Sequence, residues 1–332
     1  MAGKAYRAMV VEESGEKSFS RKIAERRVDQ LPAGEVLVKV SWSSLNYKDA
    51  LSASGNRGVT KSYPHTPGID AAGIIEESSS ASFRPGEKVI VTSYDLGMNT
   101  SGGFAEYIRV PAAWVVPLPA GLDLRESMIF GTAGFTAGMS VFALTHHVAP
   151  GDGQILVTGA TGGVGSLALA ILGKLGYSVA AVSGKPEAVE FLTRLGAARI
   201  LTRTEACEGS GRPLLKGVWA GVIDTVGGEI LATALKSTDL QGVVTCCGNV
   251  ASPELPINVF PFILRGVSLV GIDSQNCPMA HRRLIWDKLA TAWKPDMLNE
   301  LGREVSLEGL EKEITLILKG GQVGRVIVRL AA

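Results

Sequence analysis

The stretch "ILVTGATGGVGSLALAILGKLG", residues 155–176, carries glycines at 159, 162 and 165, with Gly163 a further position free of a side chain. Glycines at this spacing permit a tight turn and close approach of backbone to a ligand. An apolar strand before them and an apolar-striped helix after them offer unpaired amides and the positive end of a helix dipole to a pyrophosphate. A turn serving only strand and helix packing would use glycines too, but the βαβ continuation favours a dinucleotide. Its type is argued from the end of the next strand. There "VSGKPE" sets Ser183, Gly184 and Lys185 where an acid would bind the ribose 2′-hydroxyl of NAD. A hydroxyl, a free amide and an ammonium suit a 2′-phosphate, and Arg203 in "ILTRTE" adds a second cation, so NADPH is expected over NADH.

A second chemical stretch is "SSLNYKDALS", residues 43–52. Tyr47 can donate a hydrogen bond or a proton, and Asn46 can orient a ring or a substrate carbonyl. Asp49 is expected to fix the local backbone or cap a helix beginning near Lys48. Without chemistry, Tyr47 reads as an aromatic that shapes a cleft.

These residues need elements to hold them. Residues 1–128 read as short β segments, among them "AYRAMVV", "EVLVKVSWSSL", "GIDAAGIIEE", "EKVIVT" and "AEYIRVPAAWVV", broken by Gly, Pro and Ser clusters. This is a mostly antiparallel β domain. From 129 to 272 strands and helices alternate, with helices over 162–175 and 186–195, which predicts a parallel sheet covered on both faces. Two amphipathic helices (279–293 and 307–318) and the strand "GRVIVRL" follow. This tail, 273–332, is expected to pack back onto the first domain, making the nucleotide domain an insertion. The fold class is therefore α/β: a Rossmann-type doubly wound sheet inserted in a mostly antiparallel, β-rich (GroES-like) catalytic domain. Residues 206–217, "ACEGSGRPLLKG", read as a surface loop.

The balance of 33 Lys and Arg against 32 Asp and Glu, with no long run of one sign, points away from nucleic acid or an anionic membrane as partner. No window approaches the ~20 apolar residues of a membrane span. The four cysteines show no CxxC spacing, as in a reduced, cytoplasmic protein. His65, His146, His147 and His281 lack partners at ligand spacing, so no metal is expected, and His146 and His147 read as the carbonyl-capping end of a helix.

The chain resembles the medium-chain dehydrogenase/reductases, in their zinc-free quinone oxidoreductase branch, with a closer likeness to acryloyl-CoA reductases. The stretches that carry the likeness are "SSLNYKDAL", "YPHTPGIDAAG", "GTAGFTAG", "ILVTGATGGVG", "VSGK", "WAGVIDTVGG" and "NVFPFILRGVSLVGIDS". Zinc-dependent relatives place Cys-x-x-Asp where Asn46 to Asp49 stand and Gly-His-Glu where Gly68, Ile69 and Asp70 stand, so both metal ligands are missing. The resemblance implies that Tyr47 borders the nicotinamide, Thr136 contacts its carboxamide, and Gly162, Gly163, Val164 and Gly165 hold the pyrophosphate. It assigns the 2′-phosphate to Ser183–Lys185 with Arg203. Asn249, Ile263 and Ser274 match later cofactor positions, Asn249 departing from the usual apolar residue. The strand "LVGID" implies a homodimer.

Zinc polarises a carbonyl and acidifies an alcohol. An activated alkene needs neither, because hydride at the β-carbon of an enoyl thioester leaves an enolate already delocalised onto oxygen. The expected reaction is therefore NADPH-dependent reduction of acryloyl-CoA to propanoyl-CoA. The alternatives are a quinone or enone reductase and a non-enzymatic NADPH-binding regulator. For the phosphates of CoA, Arg57 with Lys61, or Arg282 with Arg283, are available.

Overall fold

The computed structural model describes residues 3–16 and 18–330. The chain divides into two compact units: Met1–Thr132 with Gln275–Ala290 and Leu298–Ala332, and Ala133–Ser274 with Thr291–Met297. The tail is thus shared rather than given wholly to the first unit. Trp293 goes with the second, where its ring centroid lies 6.4 Å from that of Phe142. Residues 1, 2, 17, 331 and 332 of the expected first domain lie outside the described residues.

In the first unit β1 (Ala5–Gly15) and β2 (Ser18–Arg27) form an antiparallel ribbon. Then follow β3 (Val36–Ser44), α1 (Tyr47–Ala53), β4 (Asp70–Ser78), β5 (Lys88–Thr92), β6 (Tyr107–Val110) and β7 (Val115–Pro117). The alternation in "EVLVKV" puts Val36, Val38 and Val40 into one core with Ile75, Val89, Val91 and Ile108, all at most 1% exposed. Against the expectation that no window approaches a membrane span, helix α2 (Leu124–Thr145) is 22 residues long and, by length and composition, apolar enough to cross a membrane, but it is largely buried inside the protein, as the core helix of a folded unit is. It breaks at Gly131 (φ 51°, ψ −155°), a conformation that a side chain disfavours.

The second unit runs β8 (Gln154–Val157), α3 (Gly163–Lys174), β9 (Val179–Val182), α4 (Val189–Arg194), β10 (Ala197–Leu201), α5 (Arg203–Ala206), β11 (Trp219–Asp224), α6 (Gly228–Lys236), β12 (Thr238–Cys246), α7 (Phe260–Arg265) and β13 (Ser268–Gly271). Its six strands form a parallel sheet in the order β10-β9-β8-β11-β12-β13, the doubly wound arrangement. Strands such as "VAAV" are buried on both faces, as a sheet covered by helices requires. Helix α3 buries Leu167, Leu169, Ile171 and Leu172 completely, each burial contributing about 1.5–3 kcal/mol.

The chain then adds α8 (Met279–Ala290), α9 (Leu298–Leu301), β14 (Gly302–Ser306), α10 (Leu310–Leu318) and β15 (Arg325–Arg329). Helix α8 ends at Ala290, earlier than the expected 293. Strand β15 pairs antiparallel with β3 and parallel with β14, completing the seven-stranded sheet of the first unit.

Candidate active site

Asn46 stands at the N-cap of α1, and Asp49 three residues on receives its backbone N–H at 2.8 Å. Helix α1 therefore begins at Tyr47, and Asp49 fixes its start while its other oxygen accepts the N–H of Ile69 at 2.8 Å. The amide nitrogen of Asn46 donates to Asp70 Oδ2 (2.7 Å) and toward Asp49 Oδ2 (3.2 Å). Its hydrogens are directed at two carboxylates, so Asn46 positions this corner of the first unit instead of reaching for a substrate carbonyl, the role its residue type suggested.

Asp70, fully buried, also accepts the hydroxyl of Ser44 (2.6 Å) and both the N–H (2.9 Å) and hydroxyl (2.6 Å) of Thr132. The break at Gly131 makes this possible: a Cβ there would lie 2.5 Å from Asp70 Oδ2 and 2.4 Å from Ser44 Oγ. The countercharge comes from Arg325, 2% exposed, which donates to Ile129 O (2.9 Å), Leu45 O (3.2 Å) and Ser44 Oγ (2.9 Å). Burial lowers the pKa of Arg325 while Asp70 and Asp49 oppose the shift. Burial, reinforced by the charge of Asp70, raises that of Asp49 from 3.8 to about 7. Sequence reasoning missed Asp70, Thr132 and Arg325 as parts of this network.

Where zinc-dependent relatives are expected to carry Cys and His, Asn46 and Ile69 thus serve a hydrogen-bonded network. Among the described residues no three His, Cys, Asp or Glu side chains are grouped to hold a metal ion. His65 meets Gly97 O through Nε2 (2.9 Å), and His146 meets Phe142 O through Nδ1 (2.6 Å) just past the end of α2. Tyr47 is 39% exposed, and among the described residues its hydroxyl has no protein partner.

In the second unit Gly159 follows β8 with φ +58°, Gly162 caps α3, and no side chain caps the helix. A Cβ on Gly165 would lie 2.3 Å from Gly159 O, so only glycine lets the first turn of α3 sit on the loop. The amides of Gly163, Val164 and Gly165 form that first turn. One strand over, Ser183 Oγ accepts the N–H of Lys185 (3.0 Å). A Cβ on Gly184 would lie 2.6 Å from Arg203 Nε, which places the guanidinium directly against this turn. Burial lowers the pKa of Lys185, and Arg203 acts in the same direction while Glu187 opposes both. Two cations thus stand over a turn bearing a hydroxyl. A donor set of this kind, with a glycine cradle beside it, fits a phosphorylated dinucleotide.

Asn249 is exposed in the loop after β12, and Ser274 follows β13, on the strand ends that also carry Gly159 and Ser183. Thr136 is buried on α2, where its carbonyl accepts the hydroxyl of Ser140 (2.9 Å). Ile263 is not brought to these loops. It is 69% exposed on α7, and Arg265 of the same helix binds Lys236 O and Thr238 O at the opposite end of β12. Two of the cations considered for CoA are also committed. Arg57 pairs with Glu13 (2.7 Å) and lies 5.0 Å from the Tyr63 ring centroid. Arg282, fully buried, binds Thr92 O (3.1 Å) and lies 4.3 Å from the Tyr94 ring centroid.

Comparison with known proteins gives the lineage. The alcohol dehydrogenase GroES-like domain matches residues 32–120 and the zinc-binding dehydrogenase domain residues 163–290. Acrylyl-CoA reductase AcuI of Ruegeria pomeroyi is 45% identical over 327 residues, 97% of this chain and 98% of its own. The chain belongs to the zinc-free medium-chain dehydrogenase/reductases. Among this family's structures, the yhdH oxidoreductase of Salmonella enterica in complex with NADP is 43% identical, with TM-score 0.95 over 98% of this chain and 100% of that one. Bacillus subtilis yhfP, a putative quinone oxidoreductase whose structure has NAD bound, is 42% identical there, with TM-score 0.96 over 99% of this chain and 100% of that one. The combination of a GroES-like β-rich unit with a Rossmann-type unit is the fold of this family.

Proposed function

We propose that the protein is an NADPH-dependent reductase of α,β-unsaturated acyl thioesters, with acryloyl-CoA as substrate and propanoyl-CoA as product. The observation that carries the reading is the Asn46–Asp70–Arg325 network. It commits the residues at the expected metal-ligand positions to each other, beside a helix whose first residue, Tyr47, has a free hydroxyl. Such a site suits an acceptor that needs no Lewis acid, and the full-length likeness to AcuI supports the thioester.

NADPH supplies the hydride when bound. The first-turn amides of α3 would hold its pyrophosphate, and Ser183, Lys185 and Arg203 its 2′-phosphate. Tyr47 would donate its hydroxyl to the thioester oxygen as negative charge grows there, and it or water would give the α-carbon its proton. A second reading, reduction of quinones, draws on the 45% identity with the putative quinone oxidoreductase YhfP.

The same reading includes a homodimer. Strand β13 is one of the two edges of the parallel sheet, and Leu269 on it, like Val259, Ile263 and Leu264 just before it in sequence, is at least 36% exposed. A second copy adding its own β13 would cover them. Four unbridged thiols suit the reducing cytoplasm.

The test follows NADPH oxidation with acryloyl-CoA, crotonyl-CoA, a small enone and a naphthoquinone in parallel. Acryloyl-CoA is expected to turn over fastest; efficient turnover of the quinone alone would replace the first reading by the second, and no turnover at all would leave a regulator. Lys185→Glu should weaken NADPH at least tenfold more than NADH. Equal weakening would show the phosphate assignment to be wrong.

A further inference from the structure

Asp224 ends β11 as a fully buried carboxylate, and among the described residues no cation pairs with it. A buried charge without a countercharge persists only where hydrogen bonds replace water. Its Oδ1 accepts the hydroxyl of Thr158 (2.7 Å), and Oδ2 accepts the N–H groups of Gly227 (2.8 Å) and Val226 (3.3 Å). Thr158 in turn accepts Thr225 N–H through its hydroxyl (3.0 Å), and its carbonyl accepts the Thr225 hydroxyl (2.9 Å). Thr158 is the residue before Gly159, the left-handed turn that opens the glycine loop, and a Cβ on Gly159 would lie 2.4 Å from Thr225 Oγ1. On the other side, the carbonyl of Asp224 accepts the N–H of Cys247 (3.1 Å), so the loop after β12 is tied to the same residue.

We infer that Asp224, acting through Thr158, is a positioning residue for the dinucleotide: it locks the ends of β8 and β11 so that the glycine loop is preformed before the cofactor arrives. The site lies where parallel strands end, the edge at which such sheets bind ligands. A preformed loop binds without first losing conformational freedom, so loosening the brace weakens affinity rather than the chemical step. The inference rests on the reading of the cofactor as NADPH.

Thr158→Val keeps the shape but removes the hydroxyl, leaving Asp224 Oδ1 and Thr225 N–H unpaired; Thr158→Ser keeps the hydroxyl. We expect Thr158→Val, which loses both of these buried hydrogen bonds, to raise the Kd for NADPH about tenfold, with kcat at saturation within about twofold. In the cofactor-free protein, amide exchange at Thr225, Val226 and Gly227 should quicken by about tenfold, and Thr158→Ser should restore both readouts. Faster exchange with unchanged NADPH affinity would reduce Asp224 to a structural role and overturn the inference, as would failure of the serine variant to rescue. Should Thr158→Val not fold, Thr225→Val removes only the bond to Thr158 O and reads the same loop. An affinity change under about twofold in that variant would also refute the brace. A parent protein that does not bind NADPH would refute the cofactor reading itself, a result distinct from a variant that binds like the parent.

Discussion

Replacing Asp49 by Asn should change the pH dependence of stability in a defined direction. The carboxyl is fully buried, and burial with the charge of Asp70 moves its pKa from 3.8 to about 7. A folded-state value above the unfolded one means that the fold binds this proton more tightly. Its contribution is therefore complete below about pH 4 and is lost as the pH rises through about 7. The whole span corresponds to about 4 kcal/mol at ~1.4 kcal/mol per pH unit, of which roughly 2–3 kcal/mol falls between pH 5 and 8. Asp49→Asn cannot ionise and lacks this slope, though it carries a constant penalty for the altered bonds to Asn46 and Ile69. The assay is amide exchange at Val40 and Ile75, core positions of the first unit, at pH 5, 6, 7 and 8 after correction for intrinsic rates. The stability of the parent minus that of the variant should fall by the stated 2–3 kcal/mol. A difference flat to within about 0.5 kcal/mol would refute the claim that Asp49 is protonated inside the fold. An infrared band of a protonated acid, present in the parent at pH 5 and missing in the variant, would support it.

Gly165→Ala would drive a Cβ to 2.3 Å from backbone, at a cost of about 1–3 kcal/mol, whereas Gly184→Ala meets only the movable guanidinium of Arg203. Denaturant unfolding should separate the two variants, and NADPH titration should show both weakened. Arg325→Met leaves the buried carboxylates without their cation and should destabilise the first unit by about 3–5 kcal/mol in the same exchange experiment. Tyr47→Phe should lower kcat about 10²-fold with the KM for NADPH unchanged. Ile263→Glu should convert the proposed dimer to monomers in light scattering at unchanged NADPH affinity.

Local patterns exposed most of this architecture. The exposed Lys39 in "EVLVKV" and the wholly buried "VAAV" differ because one strand lies in a sheet solvated in part and the other in a sheet buried on both faces. The glycine loop was legible for a similar reason, since strand, turn and helix are contiguous. The Asp70 network was not, because Asp70 and Arg325 reach Asn46 and Ser44 across 24 and 281 residues of sequence. Asp70 and Asp224 did leave a trace, each standing at one end of an apolar run, "DAAGII" and "WAGVID", where a buried carboxylate is found only when hydrogen-bonded. Arg282 shows the opposite error. Charge alone suggested a phosphate site, but its long stem allows a guanidinium to turn inward and bind carbonyls.

The pairing of β15 with β3 also bears on the order in which the chain acquires its structure. Arg325 reaches the hydroxyl of Ser44 across 281 residues of sequence. At ~5–20 residues per second a ribosome delivers that strand roughly 14–56 s after β3 has been made. Throughout that interval Trp42, Ser43 and Ser44 at the end of β3 await β15, and Asp70 awaits its countercharge, while the parallel sheet already has all six of its strands. A message truncated shortly before codon 325 would then yield a chain with its glycine loop formed and its Tyr47 helix unsupported, a substrate for proteolysis rather than a partly active enzyme.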